Sequence, residues 1–237
     1  MLKAQIIKKR RAMIVDVALE LEPGASIGLF GASGTGKSTA LACIAGIEDP
    51  DEGYVKLGDL EFFPPSLPLH RRPVGYLTQE PGLFPHLTVG ENVCFGVGGE
   101  RGASRDQASS SWIETLRDRL QLGPLWHASA ALISGGQARR VSLARMLARK
   151  PPLVLLDEPF AGLDRGLVRE LIDDLISWSH SLGFSMIAVD HQAEVLTRLC
   201  PQRAIVLQHG KVVQSGTWDE LRRAPATPLL RSLLAPL

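Results

Sequence analysis

The 237 residues carry 26 Lys and Arg against 25 Asp and Glu, a formal net charge of +1, with 45% hydrophobic and 5% aromatic residues. That length suits one large domain or one domain with an insertion, and the near-neutral balance offers no electrostatic case for a nucleic-acid or anionic-surface partner. Cys43, Cys94 and Cys200 are odd in number and lack C-x-x-C spacing, which argues against disulfides and structural zinc.

No apolar run approaches the roughly 18 residues of a bilayer span, and residues 1–11 open on charge without the apolar stretch of a signal peptide. The expectation is a cytoplasmic protein that meets a membrane only through a partner.

Along the chain, residues 4–7, 12–22 and 26–30 read as strands, with Pro23-Gly24 turning the last two. The run Lys8-Lys9-Arg10-Arg11 falls in that first hairpin and reads as a solvated turn. Next comes Gly31-Ala32-Ser33-Gly34-Thr35-Gly36-Lys37-Ser38-Thr39, a G-x-x-x-x-G-K-[ST] pattern between a strand and the helical run beginning Ala40-Leu41-Ala42. Its glycines let successive N–H groups converge on an anion, and the helix start adds positive potential. Lys37 reaches the terminal phosphates and the Ser38 hydroxyl ligates Mg²⁺ in such a loop. The expected ligand is therefore a nucleoside triphosphate.

Residues 54–57 and 61–63 read as further strands, and the Pro-rich stretch 64–73 as a connection. The strand 74–78 ends at Gln79. From there to Ile133 the texture becomes helical, with Gly and Ser clustered at 96–111. An inserted helical subdomain over residues 80–133 is predicted, with a loose middle, and a nucleotide-binding core over 1–79 and 134–237. Ser134-Gly135-Gly136-Gln137 precedes a helix over 138–149. It is a second small-residue helix start and so a second potential phosphate contact. Whether it serves the same nucleotide or one on another copy is open from spacing alone.

Leu153-Val154-Leu155-Leu156 is a strand buried on both faces, and it ends in Asp157-Glu158-Pro159. Asp157 at that strand end is placed to hold Mg²⁺, and Glu158 to act as general base on water. Helices over 167–176 and 192–200, a buried strand over 186–189 and a hairpin over 204–214 complete the alternation. Strands alternating with helices give an α/β fold with a mostly parallel sheet and helices on both sides. Gln79 and His191 each follow an apolar strand; singly, a strand-end histidine is more often structural.

Taken together, residues 31–39, Gln79, Ile133-Ser134-Gly135-Gly136-Gln137, the run 153–159, Ala161-Gly162-Leu163-Asp164 and His191 resemble, in order, the Walker A, Q-loop, signature, Walker B, D-loop and switch histidine of the ATP-binding cassette family. The resemblance covers residues 1–222 and implies an α/β fold: a phosphate-loop NTPase (RecA-like) core with a mostly parallel sheet, an N-terminal antiparallel β subdomain and an inserted helical subdomain. It implies two cassettes meeting head to tail as a homodimer with two ATP molecules between them, residues 31–39 of one copy facing 134–137 of the other. It also implies Glu158, His191 and Gln79 as catalytic residues, Ser38, Gln79 and Asp157 at Mg²⁺, and Asp164 linking the two sites.

Residues 71–79 and 83–93 look like the importer branch, in which the cassette is a separate chain docked on an integral membrane permease. That places the chain peripherally on the inner face of the cell membrane. A cassette ATPase that drives a soluble assembly or a cell-division complex is the alternative. The chain departs from the family in three places. Residues 1–25 hold no aromatic to stack on adenine, leaving Arg11 or Met13 as candidates and implying looser base selectivity. Ile133 replaces the usual Leu, and Gln192 follows the switch histidine where Asp is common.

Overall fold

A computed structural model describes residues 1–11, 13–97 and 107–234. Strands β1 (Leu2–Lys9) and β2 (Ile14–Leu21) pair antiparallel, then β3 (Ser26–Phe30) leads into α1 (Lys37–Ala45). Strands β4 (Glu52–Leu57), β5 (Leu60–Phe63) and β6 (Val74–Leu77) are followed by α2 (Val89–Cys94), α3 (Gln107–Arg119) and α4 (Gly135–Ala148). The chain closes with β7 (Leu153–Asp157), α5 (Arg165–Leu182), β8 (Ser185–Val189), α6 (Ala193–Leu199), β9 (Ala204–Gln208), β10 (Lys211–Gly216), α7 (Trp218–Arg223) and α8 (Pro228–Leu234).

All ten strands form one sheet in the order β5-β4-β1-β2-β10-β9-β3-β8-β7-β6. From β6 to β9 neighbours run parallel, whereas β4, β1 and β2 pair antiparallel. The two halves join where Lys211 of β10 meets Asp16 of β2. Every residue of β7 and of β8 is buried, as their unbroken apolar runs predict.

Alternation along the strands divides the core. Leu153, Leu155, Ile187 and Val189 face α1 through Leu41 and Ile44. Val154, Leu156, Met186 and Ala188 face the opposite layer, built from α4, α5 and α6. The Trp112 indole of α3 stands edge-on to Trp178 of α5 at 5.2 Å and donates its N–H to Leu147 O at 2.9 Å. Residues 98–106, most of the stretch expected to be loose, lie outside the described residues.

Several local expectations are refined or revised. The basic run is largely exposed, as expected, and its first three residues are also ion-paired: Lys8 meets Asp51 at 3.0 Å, Lys9 meets Glu52 at 3.6 Å and Arg10 meets Glu48. Position 12 lies outside the described residues, and β2 starts only at Ile14, because Arg10 N donates to Met13 O to close the turn. Helix α4 begins at Gly135 rather than 138. Ser134 caps it in a capping box with Gln137, whose side chain accepts from Ser134 N at 2.8 Å.

Candidate functional site

Parallel register sets the site. Leu77 pairs with Leu156, Asp157 with Val189, and Leu29 with Val189. Gln79, Asp157, Glu158, His191 and Gly31 therefore leave four neighbouring strands at one edge of the sheet, where ligands of open parallel sheets bind.

The loop between β3 and α1 is shaped by glycines at positive φ. At Gly31, φ is 145° and a Cβ would stand 2.2 Å from Leu207 O; at Gly36, φ is 100° and a Cβ would stand 2.7 Å from Val15 Cγ2. Neither position admits a side chain. Thr35 Oγ1 donates to Ala32 O at 2.9 Å, and Lys37 Nζ folds back to Gly31 O and Ala32 O, each at 2.8 Å. Burial pulls the Lys37 ammonium below its ordinary pKa, while Asp157, Glu158 and Asp190 oppose that shift. A buried cation at the mouth of a backbone cradle is the donor set a polyphosphate requires.

Asp157 is 3% exposed at the end of β7. It accepts hydrogen bonds from the Ser38 hydroxyl and the Tyr76 phenol, yet burial, aided by neighbouring Glu158, holds its pKa above the usual carboxylate value. The oxygens of Ser38, Asp157 and Gln79 are the hard ligands that suit Mg²⁺.

Glu158 takes a left-handed backbone, φ 49°, with its N–H bound to Val189 O. Gln79 Nε2 lies 3.5 Å from the Glu158 carboxylate. His191 is largely exposed, with Nδ1 3.6 Å from Asp190 Oδ1. Asp190 is buried, receives Gln192 N at 2.8 Å, and is raised in pKa chiefly by burial. Glu158, Gly162, Leu163, Asp190 and His191 line one cavity of about 660 Å³.

The second helix start borders this cluster through the 161–164 loop. Ser134 and Gln137 cap each other, while Gly136 packs so closely on the 161–164 loop that a Cβ would meet Gly162 O at 2.9 Å. Asp164 caps α5 by accepting from Leu167 N at 2.9 Å. Residues 134–137 thus touch Asp164's loop, and no hydrogen bond among the described residues ties them to the phosphate loop.

Three groups at the site escaped sequence reasoning: Arg139, Asp190 and Tyr76. Arg139 is 2% exposed, and its guanidinium donates to Thr78 O, Gln79 O, Asp157 O, Glu158 O and Pro159 O. A signal existed, since Arg139 shares the stripe of Leu143 and Met146 at helical spacing, and a cation there must find buried acceptors. Arg10 lies at α1: its Nη2 is 3.3 Å from Thr39 Oγ1 and is held by Glu48.

Residues 14–161 match the family model described as "ABC transporter". The chain is 38% identical over 220 residues to the sulfate/thiosulfate import ATP-binding protein CysA 2 of Agrobacterium fabrum, covering 92% of this chain and 63% of that protein. It is 38% identical over 224 residues to the Fe(3+) ions import ATP-binding protein FbpC of Streptomyces avermitilis, covering 94% and 64%. The probable sulfate/thiosulfate import ATP-binding protein CysA of Chlorella vulgaris is 36% identical over 218 residues, with 92% and 90% covered. Most of these relatives are longer, and the chain spans just under two thirds of the first two. Among solved structures, a dimeric ATP-binding cassette in a post-hydrolysis state with ADP and phosphate bound superposes with a TM-score of 0.80 at 27% identity, covering 92% of this chain and 98% of that one.

Proposed function

Since the chain belongs to the ABC transporter family, we propose that it is the ATP-hydrolysing subunit that energises a membrane importer. The observation that carries this reading is the single sheet edge at which Lys37, Ser38, Asp157, Glu158, Gln79 and His191 meet.

In this reading residues 31–39 cradle the phosphates through backbone N–H groups, and Lys37 exchanges its loop carbonyls for phosphate oxygens. Ser38, Asp157 and Gln79 would hold a Mg²⁺ ion, which would supply charge neutralisation at the phosphates. Glu158 takes the proton of the attacking water as the new O–P bond forms and the bond to the ADP oxygen breaks. His191, oriented by Asp190, holds the water and the γ-phosphate in line. Gln79 reports the state of the site by its contact with Glu158.

Residues 134–137 and Asp164 contact the nucleotide of a second cassette, most simply a second copy of this chain. Their mutual capping leaves the helix N-terminus fixed and ready for phosphate. Residues 80–133 form an inserted helical subdomain, and 1–79 with 134–237 the nucleotide core. Beside this subdomain Leu69, Tyr76, Phe84, Phe95, Arg145 and Arg149 line a groove of about 520 Å³, with Leu69 and Phe95 more than half exposed. That groove receives the permease. Among the described residues no helix is long and apolar enough to cross a membrane, so membrane contact runs through the permease.

The test is a pull-down of tagged Glu158→Gln protein with MgATP from detergent-solubilised membranes. The variant is expected to keep ATP bound, lose turnover and bring down a polytopic membrane protein in one-to-one ratio. Normal turnover would remove Glu158 from its role, and recovery of soluble partners alone would overturn the transport reading.

A further inference from the structure

Arg139 is not part of the nucleotide cradle, yet among the described residues no other side chain reaches so much of the site's backbone. A guanidinium has five N–H groups. Here all five go to main-chain carbonyls: Nε to Pro159 O at 3.1 Å, Nη1 to Thr78 O and to Gln79 O at 3.1 Å, and Nη2 to Asp157 O and Glu158 O. These carbonyls belong to two segments that diverge beyond the last β6–β7 pair, Leu77 with Leu156. Past that point the ladder supplies no donors between them, and buried carbonyls left unpaired are costly. Arg139 takes the ladder's place.

Its location on α4 adds a mechanical consequence. Gly136, one turn earlier, rests against Gly162 O. The first turn of α4 is thereby in contact with the Gln79 segment, the Glu158 turn and the 161–164 loop at once. We infer that Arg139 is a positioning residue: it sets the backbone that aims Glu158 and Gln79, and makes their placement follow the orientation of α4. The inference rests on the reading that the chain hydrolyses ATP.

The experiment compares the full chain with Arg139→Met, Arg139→Gln and Arg139→Lys, each confirmed folded by circular dichroism. Steady-state hydrolysis of MgATP and backbone amide exchange are both read. Displacement of a base by an ångström costs about 100-fold, so kcat of Arg139→Met should fall by about that factor with KM within about threefold. Arg139→Lys, which keeps the charge but only three donors, should recover part of kcat. Peptides spanning 76–82 and 156–162 should exchange faster together in Arg139→Met while those of α1 do not change.

Wild-type kcat in folded Arg139→Met would overturn the inference, as would failure of all three variants to fold, which would leave the residue a purely structural role. If the unaltered chain hydrolyses no ATP, the functional reading fails. The exchange data then decide the inference alone, and uniform acceleration across the chain overturns it.

Discussion

Replacing Asp157 with Asn is expected to stabilise the nucleotide-free protein while abolishing its Mg²⁺-dependent function. The carboxylate is 3% exposed, shares its neighbourhood with Glu158 and is held above its ordinary pKa mainly by burial. A carboxyl group whose folded pKa lies above its unfolded one destabilises the charged native state at neutral pH. That cost shrinks as pH falls through the raised value and is gone below the unfolded pKa. A neutral isostere removes that cost, about 1.4 kcal/mol for each pKa unit of upward shift. A gain on the order of 1 kcal/mol is expected here because Ser38, Tyr76 and Arg139 already offset part of the penalty.

For a chain of this size about 1 kcal/mol raises Tm by roughly 2–4 °C. The unaltered protein at MgATP 100-fold above Kd gains about 2.7 kcal/mol, or roughly 5–10 °C on the same scale, and Asp157→Asn should lose the Mg²⁺-dependent part of that gain. Thermal melts with and without MgATP, repeated from neutral pH downward, read both effects. The advantage of the variant should narrow as pH falls. A lower Tm for nucleotide-free Asp157→Asn at neutral pH would refute the reasoning, showing that the carboxylate's hydrogen bonds outweigh its desolvation.

Lys37→Ala removes a charged donor group worth about 1.5–3 kcal/mol per hydrogen bond, so ATP affinity by calorimetry should fall at least tenfold. Unchanged affinity would contradict the phosphate-loop assignment. Trp112→Phe keeps most of the contact with Trp178 but removes the indole hydrogen bond to Leu147 O, which still accepts from Lys150 N; denaturant unfolding should show a loss of about 0.5–1.5 kcal/mol, with nucleotide affinity unaffected. With no aromatic among residues 1–25 to hold the base, Kd values for ATP and GTP should differ by less than about tenfold, and strong preference for ATP would show that another group reads the base.

Much of this arrangement was legible because it is written locally. The glycine spacing of the phosphate loop and the unbroken apolar run of β7 each act within a few residues, and parallel pairing then aligns their ends. What stayed hidden is set by tertiary placement. Arg139 finds acceptors about twenty and about sixty positions away, on two strands whose adjacency no spacing announces. Arg72, which donates to Cys43 O and Ile44 O at the end of α1, was likewise unreadable in a Pro-rich stretch taken for a plain connection. The start of α4 was misplaced for a smaller reason: two glycines argue against helix, and the reciprocal capping of Ser134 and Gln137 outweighs them.

Strands β6 and β7 are immediate neighbours in the sheet, and α4 alone suffices to carry the chain from one to the other. The described residues between Gln79 and Ser134 are therefore additions to a complete βαβ unit, exchangeable without redrawing the sheet. On the proposed reading, such an exchange would alter the partner surface and leave the residues at the strand ends in place.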